Sequence, residues 1–285
     1  MTSNLGDLRV NRIGLGAMRL TGAAAFDSAS SSDRERSITV LRRAIELGVD
    51  HIDTAAYYFS PLRSANELIN RALAPYPDDL VISTKVWPAR DPSGQWWWAT
   101  PEQLRGQVEE NLRQLGRDHL DVVNLRVPPS RGDGSIAEHF GALAELREAG
   151  LIRHLGISNA TLAHLSEAQA IAPVVCVQNP YGVGATAAEQ EVLRACGERG
   201  IAFVPFFAIA GAGREAGAPA TDDEAVLAVA RAHGATPAQV RLAWTLHQGP
   251  HVLAIPGTGN PDHLAANMAA AELRLSADDL ARLAT

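Results

Sequence analysis

Cysteine is almost absent from this chain of 285 residues, which contains only Cys176 and Cys196. Two thiols are too few for a disulfide framework, so the sequence does not fit a small secreted scaffold. Long hydrophobic runs are also missing. No apolar stretch approaches the roughly 20 residues that a membrane-spanning helix needs, and the N-terminal residues contain no apolar signal core. These absences predict a soluble cytoplasmic protein that does not enter a membrane.

Basic clusters and metal-ligand spacings are absent as well. Acidic residues outnumber basic ones, 32 against 25, and the net charge is −7. An acidic chain without a basic run is poorly suited to binding nucleic acid. The nine histidines are scattered, without an H-E-x-x-H motif or a paired Cys/His spacing, so no metal site is expected.

Lysine occurs once, as Lys85, beside 24 arginines. A compositional preference for arginine explains the arginines but not the exception. An ammonium group is compact and can be tuned by burial, whereas a guanidinium is larger and stays protonated. Lys85 also follows the apolar run of residues 80–82, at the expected end of a strand. We therefore interpret Lys85 as a functional residue.

Short β-like runs alternate with longer helical segments along the chain. Eight strands are predicted, at Ile13–Gly16, Val49–Asp53, Leu80–Lys85, Leu120–Arg126, Ile152–Ile157, Val174–Gln178, Ile201–Phe206 and Val252–Ile255. Helices are predicted between them, among them Asp33–Leu47, Pro101–Leu115, Ser135–Ala149, Ala187–Arg199 and Thr236–His247. Glycines that follow several of these helices are typical C-terminal caps. Eight strand–helix units in a chain of this length predict a single (β/α)8 barrel domain, a TIM barrel, over residues 1–285.

A doubly wound parallel sheet is the alternative arrangement of such units. It should have a glycine-rich phosphate loop after its first strand. The segment from Gly14 to Arg19 lacks the third glycine of G-x-G-x-x-G, and the only lysine lies too far away to complete a P-loop. The barrel is therefore favoured.

In a barrel, the active-site residues lie where the strands end, at the carboxyl face. Polar and aromatic residues occupy these positions: Asp53, Lys85, Arg126, Ser158, Asn159, Gln178, Asn179 and Phe206. Strand ends are also polar simply because they approach solvent, but the mixture of charged, amide and aromatic groups favours one shared pocket. In the loop after the third predicted strand, three adjacent tryptophans either contact substrate at that pocket or pack on one another: Trp96, Trp97 and Trp98.

The segment His51–Tyr58 contains D-T-A-x-x-Y and resembles the signature of the aldo-keto reductases. Further segments resemble motifs of that family in the same order along the chain: Ser83–Lys85, Leu155–Asn159, Val177–Tyr181, and Ile255–Thr258 followed by Asn267. Within the family, the segments Val122–Arg126, Val204–Phe207 and Ile255–Thr258 are most similar to the pyridoxal reductase branch of bacteria and yeast. The resemblance implies a barrel enzyme that uses NADPH to reduce an aldehyde or ketone.

The resemblance also implies roles for individual residues. Tyr58 would be the general acid that protonates the nascent alkoxide, and Asp53 and Lys85 would form a buried ion pair beside it. Arg126 occupies the place of the family's fourth catalytic residue, which is usually a histidine. The cofactor is expected to contact Gly16, Ala17, Met18, Ser158, Asn159, Gln178, Phe206, Phe207, Gly211, Gly257, Thr258, His263 and Asn267.

Two substitutions weaken the expected preference for NADPH, and NADH is the alternative cofactor. In the family, a lysine and an arginine usually bind the 2′-phosphate of NADPH. Gly257 and His263 replace them here. The expected partner is a small carbonyl compound, by resemblance a flat aromatic aldehyde. The competing hypotheses are a family member with lyase or dehydratase chemistry and a barrel that binds the nucleotide as a sensor. The intact set of Asp53, Tyr58 and Lys85 favours turnover.

Overall fold

The structure is a computed structural model that describes residues 2–22, 33–209 and 223–283. In chain order its strands are β1 (Thr2–Leu5), β2 (Leu8–Asn11), β3 (Leu15–Gly16), β4 (His51–Asp53), β5 (Phe59–Ser60), β6 (Arg63–Ser64), β7 (Val81–Val86), β8 (Pro88–Arg90), β9 (Trp96–Trp98), β10 (Leu120–Arg126), β11 (Ile152–Ser158), β12 (Val174–Gln178) and β13 (Ala202–Phe203).

Seven of these strands form one parallel sheet, in the spatial order β3-β4-β7-β10-β11-β12-β13. The register pairs Lys85 with Asn124 and Arg126 with Ser158. Ser158 in turn pairs with Gln178 on β12. Because residues in register lie side by side, the sheet brings the predicted strand-end residues to one edge.

Residues 252–255, the predicted eighth strand, close this sheet into a barrel. Leu253 donates a hydrogen bond to the carbonyl oxygen of Phe203 at 2.9 Å, and Gly14 donates to that of Ala254 at 2.9 Å. The contacts are isolated bridges rather than a regular ladder. The (β/α)8 barrel predicted from the sequence is therefore confirmed.

Helices surround the barrel. The described residues contain α1 (Arg34–Glu46), α2 (Ala65–Leu73), α3 (Leu104–Leu115), α4 (Ala137–Glu148), α5 (Leu162–Ile171), α6 (Ala187–Glu198), α7 (Glu224–His233), α8 (Pro237–His247), α9 (Pro261–Ala269) and α10 (Ala277–Leu283). Side-chain caps fix several starts: Asp33 accepts from the first turn of α1, and Thr236 from that of α8. Gly116, which follows α3, has the left-handed φ of 64° that its capping role requires.

The N-terminal hairpin of β1 and β2 covers the amino ends of the barrel strands. Leu5 and Val10 are buried there against Val81 at the start of β7. The hairpin is also tied by charge, since the carboxylate of Asp7 accepts from Arg153 at 2.7 Å. The hydrogen bond from Arg153 is the main cause that lowers the pKa of Asp7 to about 2.

The larger hydrophobic core lies between the barrel and its helices. Leu41, Ile69, Phe140 and Leu165 are fully buried there. This packing leaves the carboxyl edge of the barrel as a rigid platform for the site. In the described ranges, no helix combines the length and the apolar character needed to cross a membrane.

Candidate active site

A buried ion pair stands at the carboxyl ends of β4 and β7. The ammonium nitrogen of Lys85 lies 2.8 and 2.7 Å from the two carboxylate oxygens of Asp53. It also donates to the backbone carbonyl of Thr54 at 2.9 Å. Lys85 is 2% exposed and Asp53 4%, so each charge depends on the other in place of water. The only lysine of the chain therefore lies where the sequence predicted a functional residue.

Gln178 extends this cluster from β12. Its amide nitrogen donates to Oδ1 of Asp53 at 2.8 Å. Its side-chain oxygen is buried and finds no hydrogen-bond partner in the part of the chain that the structure describes. The residue nevertheless lines a cleft at the ion pair, which Tyr58, Arg126 and Phe206 also line. A buried acceptor without a donor is costly. The oxygen is therefore suited to a ligand that brings an N–H donor into the cleft.

Tyr58 lies beside the ion pair, in the turn after β4. The ammonium nitrogen of Lys85 is 4.9 Å from the centroid of the Tyr58 ring, and Tyr58 lines the same cleft. Backbone hydrogen bonds fix the turn, from Tyr58 to the carbonyl of Ala55 at 3.0 Å and from Ala65 to that of Tyr58 at 2.9 Å. The end of β4 and the start of α2 thus hold the phenol next to the ammonium.

Tyr57 packs edge-to-face on Tyr58, with ring centroids 5.1 Å apart. Burial raises the pKa of Tyr57 far above its ordinary value, and the neighbouring Tyr58 adds to this effect. The Tyr57 phenol therefore stays protonated. The two tyrosines have different surroundings, since Tyr58 lines the cleft and Tyr57 a second cavity beside α3. Lys85 lines both.

Buried amides tie together the two strands that present the ion pair. Asn66 of α2 accepts from the hydroxyl of Thr54 at 2.7 Å and donates to Asn111 of α3 at 3.0 Å. The same Asn111 oxygen accepts from the hydroxyl of Thr84 at 2.6 Å. All four side chains are fully buried. Because the two threonines adjoin the two charged residues in sequence, this network fixes the spacing of the ion pair.

The backbone leaves β7 at Trp87, whose φ of 93° is in the left-handed region. Such a conformation is unusual for a residue other than glycine. Gln107 of α3 holds it: its side-chain oxygen accepts from the Trp87 N–H at 2.7 Å, and its amide nitrogen donates to the Trp87 carbonyl at 3.2 Å. Gln107 and Asn111 both lie on α3, so this one helix holds Trp87 after Lys85 and Thr84 before it.

Arg126 ends β10 and lines the cleft. Its guanidinium carbon lies 5.1 Å from the centroid of the Phe206 ring. Its Nη1 donates to the hydroxyl of Ser158 at 3.4 Å, which is a long hydrogen bond. The aromatic face of Phe206 and the hydroxyl of Ser158 orient the planar guanidinium group. The arginine at this strand end therefore shares a cleft with Tyr58.

The cleft unites most of the residues that the sequence singled out. The predicted residues that line it are Gly16, Met18, Asp53, Tyr58, Lys85, Arg126, Gln178, Phe206, Phe207 and Gly257. Arg19 lines it too and was not predicted, although its place directly after Met18 was an available signal. At Gly16 an added Cβ would lie 2.7 Å from the carbonyl oxygen of Ile255, so this crossing of two backbone segments requires glycine.

The other predicted cofactor contacts that the structure describes do not line the cleft. Asn159 has a φ of 54°, and its amide donates to the carbonyl of Val127 at 3.0 Å. His263 is exposed on α9. Gly211 lies outside the described residues. Four more are buried and do not line the cleft: Ala17, Ser158, Thr258 and Asn267.

The three adjacent tryptophans form β9, which pairs with β8 in a hairpin. Trp96, Trp97 and Trp98 are 45%, 39% and 44% exposed, and none of them lines the cleft. The ring centroid of Trp96 lies 5.5 Å from that of Tyr57, and Trp97 lines the cavity beside α3. Trp96 therefore adjoins the site through Tyr57.

The geometry places a phenol, a buried ammonium and a guanidinium in one cleft. Such a set can protonate an oxygen atom and stabilise the negative charge that develops on it. Among the described residues, no group of three His, Cys, Asp or Glu side chains could hold a metal ion.

Comparisons with known proteins agree with this geometry. The sequence model of the Aldo/keto reductase family matches residues 12–285. Pyridoxine 4-dehydrogenase of Escherichia coli (strain K12) is 44% identical over 287 residues, which cover 99% of this chain and 96% of that protein.

Solved structures are similar over the whole barrel. The thermostable aldo-keto reductase Tm1743, in complex with the inhibitor epalrestat, has a TM-score of 0.81 and 29% identity, covering 100% of this chain and 98% of that chain. The aldo/keto reductase of Klebsiella pneumoniae, in complex with NADP and acetate, has a TM-score of 0.78 and 29% identity. The match covers 96% of this chain and 90% of that chain.

Proposed function

The chain belongs to the aldo/keto reductase family, and we propose that it uses NADPH to reduce an aldehyde or ketone to the alcohol, with Tyr58 as the general acid. The observation that carries this proposal is the buried ion pair of Lys85 with Asp53 at 2.7 Å, beside the Tyr58 ring. A phenol next to a fixed ammonium is a suitable proton donor to a substrate oxygen.

The cleft suits a reduced nicotinamide dinucleotide. The side-chain oxygen of Gln178, which has no hydrogen-bond partner among the described residues, fits the N–H donors of a carboxamide, and Phe206 offers an aromatic face. Arg19 adds a positive charge for a pyrophosphate. The proposed contacts also include Gly16, Ala17, Met18, Ser158, Asn159, Phe207, Gly211, Gly257, Thr258, His263 and Asn267. When bound, the reduced nicotinamide supplies a hydride to the carbonyl carbon.

The choice of NADPH rests on the solved relatives. The aldo/keto reductase of Klebsiella pneumoniae was crystallised with NADP. In this chain, position 257 has no side chain and His263 is the remaining candidate for the 2′-phosphate. We therefore propose NADPH as the preferred cofactor and NADH as the alternative.

Three side chains of this chain then neutralise or stabilise the negative charge that develops on the substrate oxygen. Tyr58 gives its proton to the oxygen as the alkoxide forms. Lys85 favours that transfer because a nearby cation stabilises the phenolate left behind. Arg126 donates to the oxygen while negative charge develops on it. Asp53 keeps the ammonium in place and neutralises it between turnovers.

For the substrate we propose a flat aromatic aldehyde, similar to pyridoxal. Phe206 and Phe207 line the cleft, and Trp96 packs on Tyr57, which in turn packs on Tyr58. Together they suit a planar ring better than a sugar or a short aliphatic chain. The relative named pyridoxine 4-dehydrogenase supports the same class of substrate.

Fluorescence titration with NADPH and NADH, followed by a panel of aldehydes, tests the proposal. We expect saturable NADPH binding in the micromolar range and faster turnover of pyridoxal and benzaldehyde than of small aliphatic or sugar aldehydes. A protein that binds neither dinucleotide, or that binds NADPH and reduces no carbonyl compound, would contradict it. Faster turnover of the aliphatic or sugar aldehydes would contradict the substrate class alone.

A further inference from the structure

Arg90 holds the backbone on both sides of Tyr58. It ends β8, the short strand that follows β7 after Trp87, and it is partly buried. Its Nη1 donates to the carbonyl oxygen of Phe59 at 2.9 Å and, over a longer distance, to that of Tyr57 at 3.4 Å. One guanidinium nitrogen therefore binds the residue before the proposed general acid and the residue after it.

These hydrogen bonds complete the support of the turn that carries Tyr58. The N–H of Tyr58 donates to the carbonyl of Ala55, and the carbonyl of Tyr58 accepts from Ala65. With the contacts of Arg90, three successive carbonyl groups, those of residues 57–59, have donors. Because a peptide unit is planar, a hydrogen bond to its carbonyl orients the whole unit. Arg90 therefore helps to set the direction in which the Tyr58 ring leaves the backbone.

The guanidinium group of Arg90 is itself held in place. Its carbon lies 4.6 Å from the ring centroid of Phe59 and 5.7 Å from that of Trp96, the residue that pairs with Arg90 in the hairpin. Its Nε donates to the carbonyl of Gly94 at 3.4 Å. Gly94 has a φ of 90°, and a Cβ added there would lie 3.0 Å from Nη2 of Arg90. The turn of the hairpin therefore requires glycine if the arginine is to keep its position.

The hairpin of β8 and β9 thus connects the two strands that supply the site. It continues the chain from β7, which carries Lys85, and Arg90 reaches back to the turn after β4, which carries Tyr58. The ammonium nitrogen of Lys85 lies 4.9 Å from the ring centroid of Tyr58. Arg90 does not line the cleft, so it acts on the reaction through Tyr58.

We propose that Arg90 is a positioning residue, which holds the phenol of Tyr58 at its working distance from Lys85 and from the substrate oxygen. This inference rests on the proposed reduction, in which Tyr58 is the general acid. It adds to that reaction a residue that touches neither the substrate nor the ion pair.

Single-turnover reduction of benzaldehyde at saturating NADPH tests the inference. Arg90→Met removes the hydrogen-bond donors and keeps an unbranched side chain. The rate of hydride transfer should fall by about 10- to 100-fold, the loss that a misplacement of about 1 Å in a reacting group causes. The dissociation constant of NADPH and the KM for benzaldehyde should stay close to the wild-type values, because Arg90 contacts neither molecule.

The pH profile of alcohol oxidation separates a positioning role from a purely structural one. A Tyr58 ring that moves about 1 Å away from the ammonium of Lys85 loses part of the stabilisation of its phenolate. The rise of the oxidation rate with pH should then move to higher pH by about 0.5 in Arg90→Met. Lower stability alone would leave this profile where it is.

The matched control is Arg12→Met. Arg12 is also partly buried, and its guanidinium donates to the carbonyl oxygens of Leu246, Gly249 and Val252 at the amino end of the barrel. Like Arg90→Met, this variant should melt at a lower temperature than the wild type, but it should keep the wild-type rate and pH profile. Arg90→Lys should recover part of the lost rate, because an ammonium group still offers donors to one carbonyl.

Gly94→Ala gives a second test that keeps the charge of Arg90. The added methyl group crowds Nη2 and strains the backbone, so the rate and the pH profile should change in the same direction as in Arg90→Met, by less. This variant decides the question if Arg90→Met does not fold.

Two results would overturn the inference and leave the proposed function standing. One is folded Arg90→Met, or Gly94→Ala in its place, with the wild-type rate and pH profile. The other is an equal loss of rate in Arg12→Met, since the loss would then follow from stability alone. Wild-type protein that reduces no benzaldehyde with NADPH would instead overturn the proposed function, and the inference with it.

Discussion

Replacing Arg126 by methionine removes the second cation of the cleft and keeps an unbranched side chain. Arg126 ends β10, lies over the ring of Phe206 at 5.1 Å and lines the cleft with Tyr58. In the proposed mechanism its guanidinium donates to the substrate oxygen only as charge develops there. The substitution should therefore reduce turnover and leave cofactor binding almost unchanged.

In the proposed mechanism Arg126 acts on the charge that develops in the transition state, so its loss should affect catalysis more than stability. The hydrogen bond to Ser158 is long, at 3.4 Å, and a cation–π contact at a partly exposed site contributes about 0.5–1 kcal/mol. A preorganised charged donor to an oxyanion contributes about 2–4 kcal/mol to the transition state. That corresponds to a loss of roughly 30- to 1000-fold in kcat/KM.

The assay is steady-state reduction of benzaldehyde with NADPH, together with the pH profile of the reverse oxidation of the alcohol. In that direction the Tyr58 phenolate accepts a proton, and a nearby cation favours the phenolate. The rise of the oxidation rate with pH should therefore move to higher pH in Arg126→Met. The surface arginine Arg199, which contacts Gln169, provides the control Arg199→Met. A variant of Arg126 with full turnover and an unmoved profile would refute the reasoning.

Three other predictions concern affinity and stability. Because Gly257 and His263 replace the family's usual lysine and arginine, NADPH should bind more tightly than NADH by only about 10-fold, the effect of roughly one charged hydrogen bond. Equal dissociation constants in a fluorescence titration would contradict the NADPH preference. Asn111→Leu leaves the Thr84 hydroxyl and the Asn66 amide without an acceptor. Urea denaturation should therefore show a loss of about 2–5 kcal/mol in the free energy of unfolding. A loss below about 1 kcal/mol would show that the network is dispensable. The pKa of Asp7 is lowered to about 2 from 3.8, mainly by Arg153. The contribution of the Asp7 carboxylate to stability is therefore present above pH 3.8 and is lost as the pH falls through about 2. The melting temperature should fall less over that pH range in Asp7→Asn than in the wild type, and an equal fall in both proteins would contradict this.

Sequence patterns were sufficient for the barrel and for the position of the ion pair. Apolar runs separated by helical segments are a local signal, and the strand ends follow from them. These strand ends place Asp53 and Lys85 at the carboxyl face, and the sheet register brings their strands together. The sequence predicts a regular strand over residues 252–255, the closing segment, whereas the structure pairs this segment through isolated bridges.

The residues behind the site could not be found in this way. Asn66, Asn111 and Gln107 lie on helices, where an amide in the sequence is as compatible with a solvent-exposed face as with burial. Their contacts with β7 and the residue after β4 join segments that are distant in sequence. The hydroxyl of Tyr57 is a similar case, since only the three-dimensional packing shows that it lacks a hydrogen-bond partner among the described residues.

The most direct test of the proposed mechanism is single-turnover reduction of benzaldehyde by Tyr58→Phe with bound NADPH. Tyr57→Phe is the matched control, because it removes the neighbouring hydroxyl. We expect Tyr58→Phe to bind NADPH like the wild type and to lose about 100- to 10,000-fold in the rate of hydride transfer, the range for a general acid. Tyr57→Phe should keep most of that rate. A Tyr58→Phe enzyme with the wild-type rate would contradict the account.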